Sequence, residues 1–292
     1  MQTCKPLSAG IVPVLFLAVI ASQAQNAPNL IFKFKNIKVP HSMQTEVFGI
    51  NNLGVMVGPY MSADGFHHCF KLSAGRFTRI DNPKGWATQC FGVNRAGAIV
   101  GYYIDSSNDR HGFLYAQGKF SDIAPPGAEQ SYAYGINDKG AIAGAFTASG
   151  DPNSHGFLWD GKNYRTLDVP GSTATGAFGI NQDGVIALYW ARPDGNEAGA
   201  IYDGQRFTKI KVPGAVNTFA YGINNSLDVA LNWNDVNDVD HGALRHRGKI
   251  YKIDVPKAAL SYVNGVNDHH TMVGSYVPAG SQNSVGFVAT YK

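Results

Sequence analysis

One three-residue phrase recurs six times along the chain: Gly49-Ile50-Asn51, Gly92-Val93-Asn94, Gly135-Ile136-Asn137, Gly179-Ile180-Asn181, Gly222-Ile223-Asn224 and Gly265-Val266-Asn267. Successive copies lie 43, 43, 44, 43 and 43 residues apart. Self-similarity at such a period restricts the fold to a solenoid, a propeller or an array. The content of one period narrows it further. In the second unit, 89–94 is short and mostly apolar, and Arg95-Ala96-Gly97 is a turn. A second apolar run covers 98–103, a polar loop covers 105–110, and His111-Gly112-Phe113-Leu114-Tyr115 is a third strand. The fourth, 119–123, is stopped by Pro125-Pro126-Gly127. Four strands of about five residues, split by turn signals every ~10, form an antiparallel all-β pattern. Four strands per unit is one propeller blade.

The ends of the array predict closure. The last unit runs out after its third strand, near Ala289, while Phe32 to Pro40 reads as a fourth strand with nothing before it. Each would leave an unpaired sheet edge, which proteins avoid. Pairing them gives a six-bladed β-propeller of four-stranded antiparallel blades. Its repeats lie near 46–83, 89–125, 132–169, 175–212, 218–255 and 261–289, and 31–39 is the closing strand.

Residues 1–24 stand apart from this pattern. Lys5 precedes an eleven-residue apolar run, Ile11 to Ala21, and Ser22-Gln23-Ala24 places small residues where a signal peptidase cuts. The run is short of the ~20 residues of a membrane span. The expectation is a signal peptide, a mature chain from about Gln25, a secreted or periplasmic location and no membrane span. The net charge is +3, and no Lys/Arg cluster marks a nucleic-acid partner. Cys69 falls in the third strand of one unit and Cys90 in the first strand of the next. Strands so separated within a sheet exceed the ~7 Å Cα limit for a bridge, so two small buried side chains are expected rather than a disulfide.

Positions that recur in every unit point to scaffold. A hydroxyl (Thr45, Thr88, Ser131, Thr175, Thr218, Ser261) stands four residues before each repeat glycine, suited to bonding backbone. The six asparagines suit the turn after the inner strand, bonding their own backbone two residues on. His68, His111, His155 and His241 open third strands in separate blades and so cannot converge on one metal ion. Tyr60, Tyr103, Phe146, Trp190, Trp233 and Tyr276, one per unit, suit packing between blades.

The His-headed Gly-Phe-Leu-Tyr/Trp strand, the Gly-Ile-Asn hairpin and the Asp-Val-Pro-Gly closing turn together resemble the bacterial extracellular HAF-repeat family, with glycine or cysteine at the middle place of the His-Ala-Phe core. The resemblance spans the chain after the leader. It implies a secreted repeat protein and supplies no catalytic residues.

Function is expected where the repeats diverge, in the loops of one face. Trp86, Trp190, Arg192, Asp194, Trp233 and Asp235 form the candidate rim, since indole rings with acidic groups suit a glycan and equally a protein partner. Asp235, Asn237 and Asp240 offer alternating oxygen ligands for calcium, but the segment lacks the glycine and distal glutamate of a calcium loop, so a solvated loop is favoured and no cofactor is required. Glu46 departs from Gln89, Tyr132, Gly176, Phe219 and Tyr262 at its repeat position and is the candidate acid or base. No nucleophile elbow, phosphate loop or zinc-protease motif occurs. The favoured reading is a secreted non-catalytic binding propeller for a glycan or protein. The alternatives are an extracellular polysaccharide hydrolase or lyase and a structural envelope protein.

Overall fold

The structure is a computed structural model and describes residues 30–291; the expected signal peptide lies outside them. The described residues contain strands and turns and no helix. The blades are antiparallel meanders. In blade 2, Ala87–Val93 pairs with Ile99–Ile104, which pairs with Arg110–Ala116, which pairs with Lys119–Asp122. Blades 3, 4 and 5 repeat this order, and blade 1 has its inner strand broken into Gln44–Thr45 and Gly49–Ile50. A single parallel bridge, Ser154 to Ala174, links the sheets of blades 3 and 4.

Blade 6 closes as expected. Phe32–Ile37 lies antiparallel to Val285–Tyr291 from Phe32 opposite Tyr291 to Ile37 opposite Gly286, supplying the missing fourth strand. The circle also closes at the axis. Each repeat asparagine donates its Nδ2 to the backbone carbonyl of the asparagine in the next blade, at 2.9 Å for Asn51 to Asn94 and 3.0 Å for Asn137 to Asn181. The series ends with Asn267 donating to Asn51 O at 3.1 Å, so six such bonds form one ring. The Oδ1 of the same side chains accepts turn amides, as for Lys139 N and Ala141 N on Asn137. One residue type therefore shapes the turn and joins neighbouring blades.

The repeat glycine follows from this crowding. A Cβ on Gly135 would lie 2.1 Å from the Phe178 carbonyl oxygen of the next blade, so no side chain fits where inner strands converge. Away from the axis the blades diverge and large side chains fill the wedge. Phe70, Phe113, Phe157 and Phe287, one from each of four third strands, are fully buried. Each such ring contributes about 1.5–3 kcal/mol of transfer free energy. The repeated hydroxyls hold backbone: Thr45, Thr88, Thr175 and Ser261 each accept the amide six residues earlier, at 3.0–3.2 Å.

The expectation for the cysteines is corrected. Cys69 and Cys90 form a disulfide, with Cα atoms 5.3 Å apart. Separation along one sheet is the wrong measure, because the third strand of blade 1 packs face to face on the first strand of blade 2. Both side chains point into the same space between blades, where Val57, Ile99 and Phe113 surround them.

Candidate functional site

The residue before each repeat glycine lines the central channel. In five blades it is aromatic: Phe48, Phe91, Tyr134, Phe178 and Tyr221. The rings touch in succession, with centroids 4.8 Å apart for Phe48–Phe91, 5.2 Å for Phe91–Tyr134, 4.1 Å for Tyr134–Phe178 and 4.6 Å for Phe178–Tyr221. Blade 6 breaks the series with Asn264. Phe48 and Tyr221, which flank it, are 6.5 Å apart.

The amide in the gap is fixed rather than loose. Asn264 Nδ2 donates to Val47 O at 3.1 Å, and its Oδ1 accepts from Asn232 Nδ2 at 3.1 Å. Asn232 Oδ1 in turn accepts the Val263 amide at 2.7 Å. Asn232 and Asn264 are both buried, so their satisfied bonds pre-organise the polar groups.

Beside this gap lies a cavity of about 280 Å³ lined by Glu46, Phe48, Tyr221, Asn232, Tyr262, Asn264, Ser275 and Ser284, among others. Inner strands begin where second strands end, as in the Thr45–Tyr60 pair, so the cavity opens on the face of the second-to-third loops. At two other seams a pair of rings occupies the equivalent positions. At the seam between blades 2 and 3, Tyr102 packs on Tyr132 at 5.1 Å; between blades 4 and 5, Tyr189 packs on Phe219 at 5.4 Å. The corresponding pair between blades 6 and 1 is Ser275 and Glu46.

Glu46 is the one carboxylate among the residues lining this cavity. Burial pushes its pKa above the ordinary glutamate value, and the bond donated by Ser284 Oγ at 3.1 Å partly offsets this. Tyr262 is shifted upward by burial and by donating its hydroxyl to Asp240 Oδ2 at 2.8 Å, so it stays a neutral phenol. The cavity therefore offers an acid with weakened acidity, fixed amides, hydroxyls and aromatic faces.

The residues expected at the rim fall elsewhere, and none of the six lines this cavity. Trp86 is 44% exposed and packs edge-on against Phe66 at 5.3 Å. Trp190 is half-buried, with Lys209 Nζ 5.7 Å from its ring. Arg192 pairs with Asp194 at 3.4 Å and lines a separate hollow of about 230 Å³ with Glu197, Lys209 and Lys211. Trp233 must be corrected as a ligand platform: it is 4% exposed, stacks on His241 at 4.3 Å and has Lys252 Nζ 4.1 Å from its ring. Two of the residues considered for calcium have oxygens engaged in hydrogen bonds. Asp235 Oδ1 accepts the amides of Asn237 and Val239 at 2.8 and 3.0 Å, and Asp240 is bonded to Tyr262. Asp235 is held below the ordinary aspartate range chiefly by the Val239 amide.

The strand-opening histidines act as clamps. His68 bridges Asp64 and Asp81 at 3.0 and 2.9 Å, and His155 bridges Asp151 and Asp168 at 3.1 and 2.8 Å. His111 bonds Asp105 at 3.0 Å, and His241 bonds Asp254 at 3.0 Å. Asn232, Asn264, Tyr262 and Ser284 were not anticipated. The signal for Asn264 was present: it is the one non-aromatic residue in its column of six repeats.

No family model and no curated protein matches the sequence. Solved structures match the fold. The SapL1 lectin in complex with alpha methyl fucoside aligns with a TM-score of 0.54 and 13% identity, covering 84% of this chain and 92% of that one. TolB from Acinetobacter baumannii aligns at 0.54 with 11% identity, covering 86% and 67%. A triple mutant of AofleA from Arthrobotrys oligospora aligns at 0.50 with 11% identity, covering 92% and 94%. Identities this low establish a shared β-propeller architecture and carry no site residues across.

Proposed function

We propose that this chain is a secreted carbohydrate-binding propeller that takes a sugar residue in the cavity beside Asn264. The observation that carries the reading is the one break in the channel's aromatic column, next to a cavity lined by fixed amides, hydroxyls and a carboxyl group. Sugars present hydroxyls in fixed directions and apolar C–H faces. Amides and hydroxyls match the former and the rings of Phe48 and Tyr221 the latter. The volume of about 280 Å³ falls just below the ~300–1,000 Å³ of pockets for drug-sized ligands, which suits a small sugar. A fold match to the SapL1 lectin in complex with alpha methyl fucoside supports the reading, as does the HAF-repeat resemblance for an extracellular setting. Hydrolysis is disfavoured because glycosidases ordinarily place two carboxyl groups across the bond, and Glu46 has no second one in the lining.

The test is a glycan array and calorimetric titration with the mature protein and the Asn264→Phe variant, which restores the aromatic column. Wild type should bind a defined saccharide set, and the variant should lose at least tenfold in affinity with its melting transition intact. Absence of glycan binding by the wild type, or equal binding by the folded variant, rejects the proposal. Release of reducing ends from a polysaccharide panel would replace it with hydrolysis.

A further inference from the structure

On the opposite face, at the seam of blades 5 and 6, two cross-strand pairs meet. Asp228 and His246 come from blade 5, and His270 and Tyr291 from blade 6. Asp228 is fully buried. Its Oδ1 lies 2.7 Å from His246 Nδ1, and its Oδ2 lies 3.9 Å from His270 Nδ1. Tyr291 donates its hydroxyl to Asp228 Oδ2 at 2.8 Å. Donor atoms of the aspartate and both histidines lie within 4.8 Å of one another.

The repeats show that this cluster is not part of the blade plan. At the position of Asp228 the other blades carry Val55, Ala98, Ala141, Val185 and Thr271. At the position of His270, four blades carry glycine, as at Gly54 and Gly97, because the turn needs positive φ. His270 adopts φ 56° there despite its side chain. Leu227 holds the same conformation in blade 5 at φ 61°, so blades 5 and 6 both depart from glycine here. A buried carboxylate also needs a positive partner. Among the described residues, Asp228 is ion-paired only with these two histidines, with no lysine or arginine.

We propose that Asp228, His246 and His270 bind a late first-row divalent metal ion, Zn²⁺ being the reference case, which joins blades 5 and 6. Two imidazoles and a carboxylate are the donor set such ions prefer, with bonds of about 2.0–2.2 Å. Donors around an ion with these bonds lie about 3–4 Å apart, so His270 must swing inward by about 1 Å and the 2.7 Å hydrogen bond between Asp228 Oδ1 and His246 Nδ1 must open to admit the ion. The His270 side chain is 48% exposed, and its Nδ1 lies 3.1 Å from the Tyr291 hydroxyl, a contact the ion would replace. Tyr291, together with Asn224 Nδ2 at 3.3 Å, orients the carboxylate from behind, as outer partners of metal ligands do. Water completes the coordination from the open side.

The experiment titrates ZnCl₂ into chelator-treated mature protein by calorimetry and follows the melting temperature. The decisive variant is His270→Gly, which restores the turn residue of blades 1 to 4 and so should fold at least as well. Wild type should bind one ion per chain, and at a hundredfold excess over Kd its Tm should rise by roughly 5–10 °C. His270→Gly should bind at least tenfold more weakly with an unchanged metal-free Tm; Asp228→Val should also lose binding, but with a lowered metal-free Tm because Tyr291 and His246 lose their buried partner. No stoichiometric binding by the wild type, or equal binding by His270→Gly, overturns the proposal. The second outcome would assign the ion to the exposed histidine–aspartate clamps.

Discussion

The asparagine ring makes a quantitative claim about what holds the propeller closed. Replacing Asn137 by alanine removes three hydrogen bonds: the one it donates to Asn181 O at 3.0 Å and the two it accepts from Lys139 N and Ala141 N at 3.1 and 3.0 Å. Each is worth about 0.5–1.5 kcal/mol net, so the loss is about 3 kcal/mol, with more where buried partners stay unsatisfied. For a propeller of this size that lowers Tm by roughly 6–12 °C. Asn137→Asp separates the two roles. The aspartate keeps the turn acceptor but points an oxygen at the Asn181 carbonyl, replacing attraction with repulsion. Thermal and urea melts should therefore rank wild type above Asn137→Asp, with Asp no better than Ala within about 1 kcal/mol. If Asn137→Asp melts like the wild type, the inter-blade bond contributes nothing and the turn alone explains the conserved phrase within this chain.

Other perturbations test neighbouring claims. Cys90→Ala opens a loop of 21 residues and should cost about 3 kcal/mol, a loss that dithiothreitol reproduces in the wild type and not in the variant. Glu46→Gln should stabilise the protein at neutral pH. Burial raises the native pKa of Glu46, so its contribution falls as pH rises through that pKa, and the advantage of glutamine should vanish below the unfolded value near 4.5 in pH-dependent melts. His155 is also raised, first by its bond to Asp168, so its contribution is full below about pH 6.5 and is lost as pH rises through the native pKa. An NMR titration should show that elevation disappearing in Asp168→Asn. Gly135→Ala, which forces a Cβ against the Phe178 carbonyl, should abolish folding, whereas Gly140→Ala meets only open space and pays for φ +83° alone, about 1–2 kcal/mol by chemical denaturation.

Architecture was legible because a repeat chain is its own alignment. Short apolar runs split by turn signals implied the strand order, and the two incomplete ends implied that Phe32–Ile37 pairs with Val285–Tyr291. What escaped were relations across blades. Asn137 was assigned to its own turn correctly, but its second bond reaches a carbonyl 44 residues away, which no local rule supplies. Cys69 and Cys90 failed for the same reason, since distance was counted along a sheet instead of between packed faces. Trp233 fits two sequence readings, the inter-blade column and the rim; at 4% exposure, packed with Ile210 and Val212 of the preceding blade, it takes the first.

Comparing the columns of the repeat locates function better than residue type does. Across blades 2, 3 and 4 the inner positions hold rings that pack on one another, and Tyr134 against Phe178 at 4.1 Å is the tightest of these contacts. The polar exceptions gather in blades 5, 6 and 1. Asn232, Asn264 and Glu46 lie toward one face, and Asp228, His246 and His270 toward the other. A ring held by six equivalent bonds can tolerate such departures, because closure is shared among all seams and the altered one need not supply its full part. The seam of Ser275 and Glu46 is also the neighbourhood where the first strand docks on the last blade. An ion between blades 5 and 6 would restore on one face some of the rigidity that the sugar cavity gives up on the other. Metal loading should then raise Tm by a different amount in Asn264→Phe than in the wild type, as expected of two changes that share blade 6. Strict additivity in a double-perturbation cycle would show that the two faces are independent.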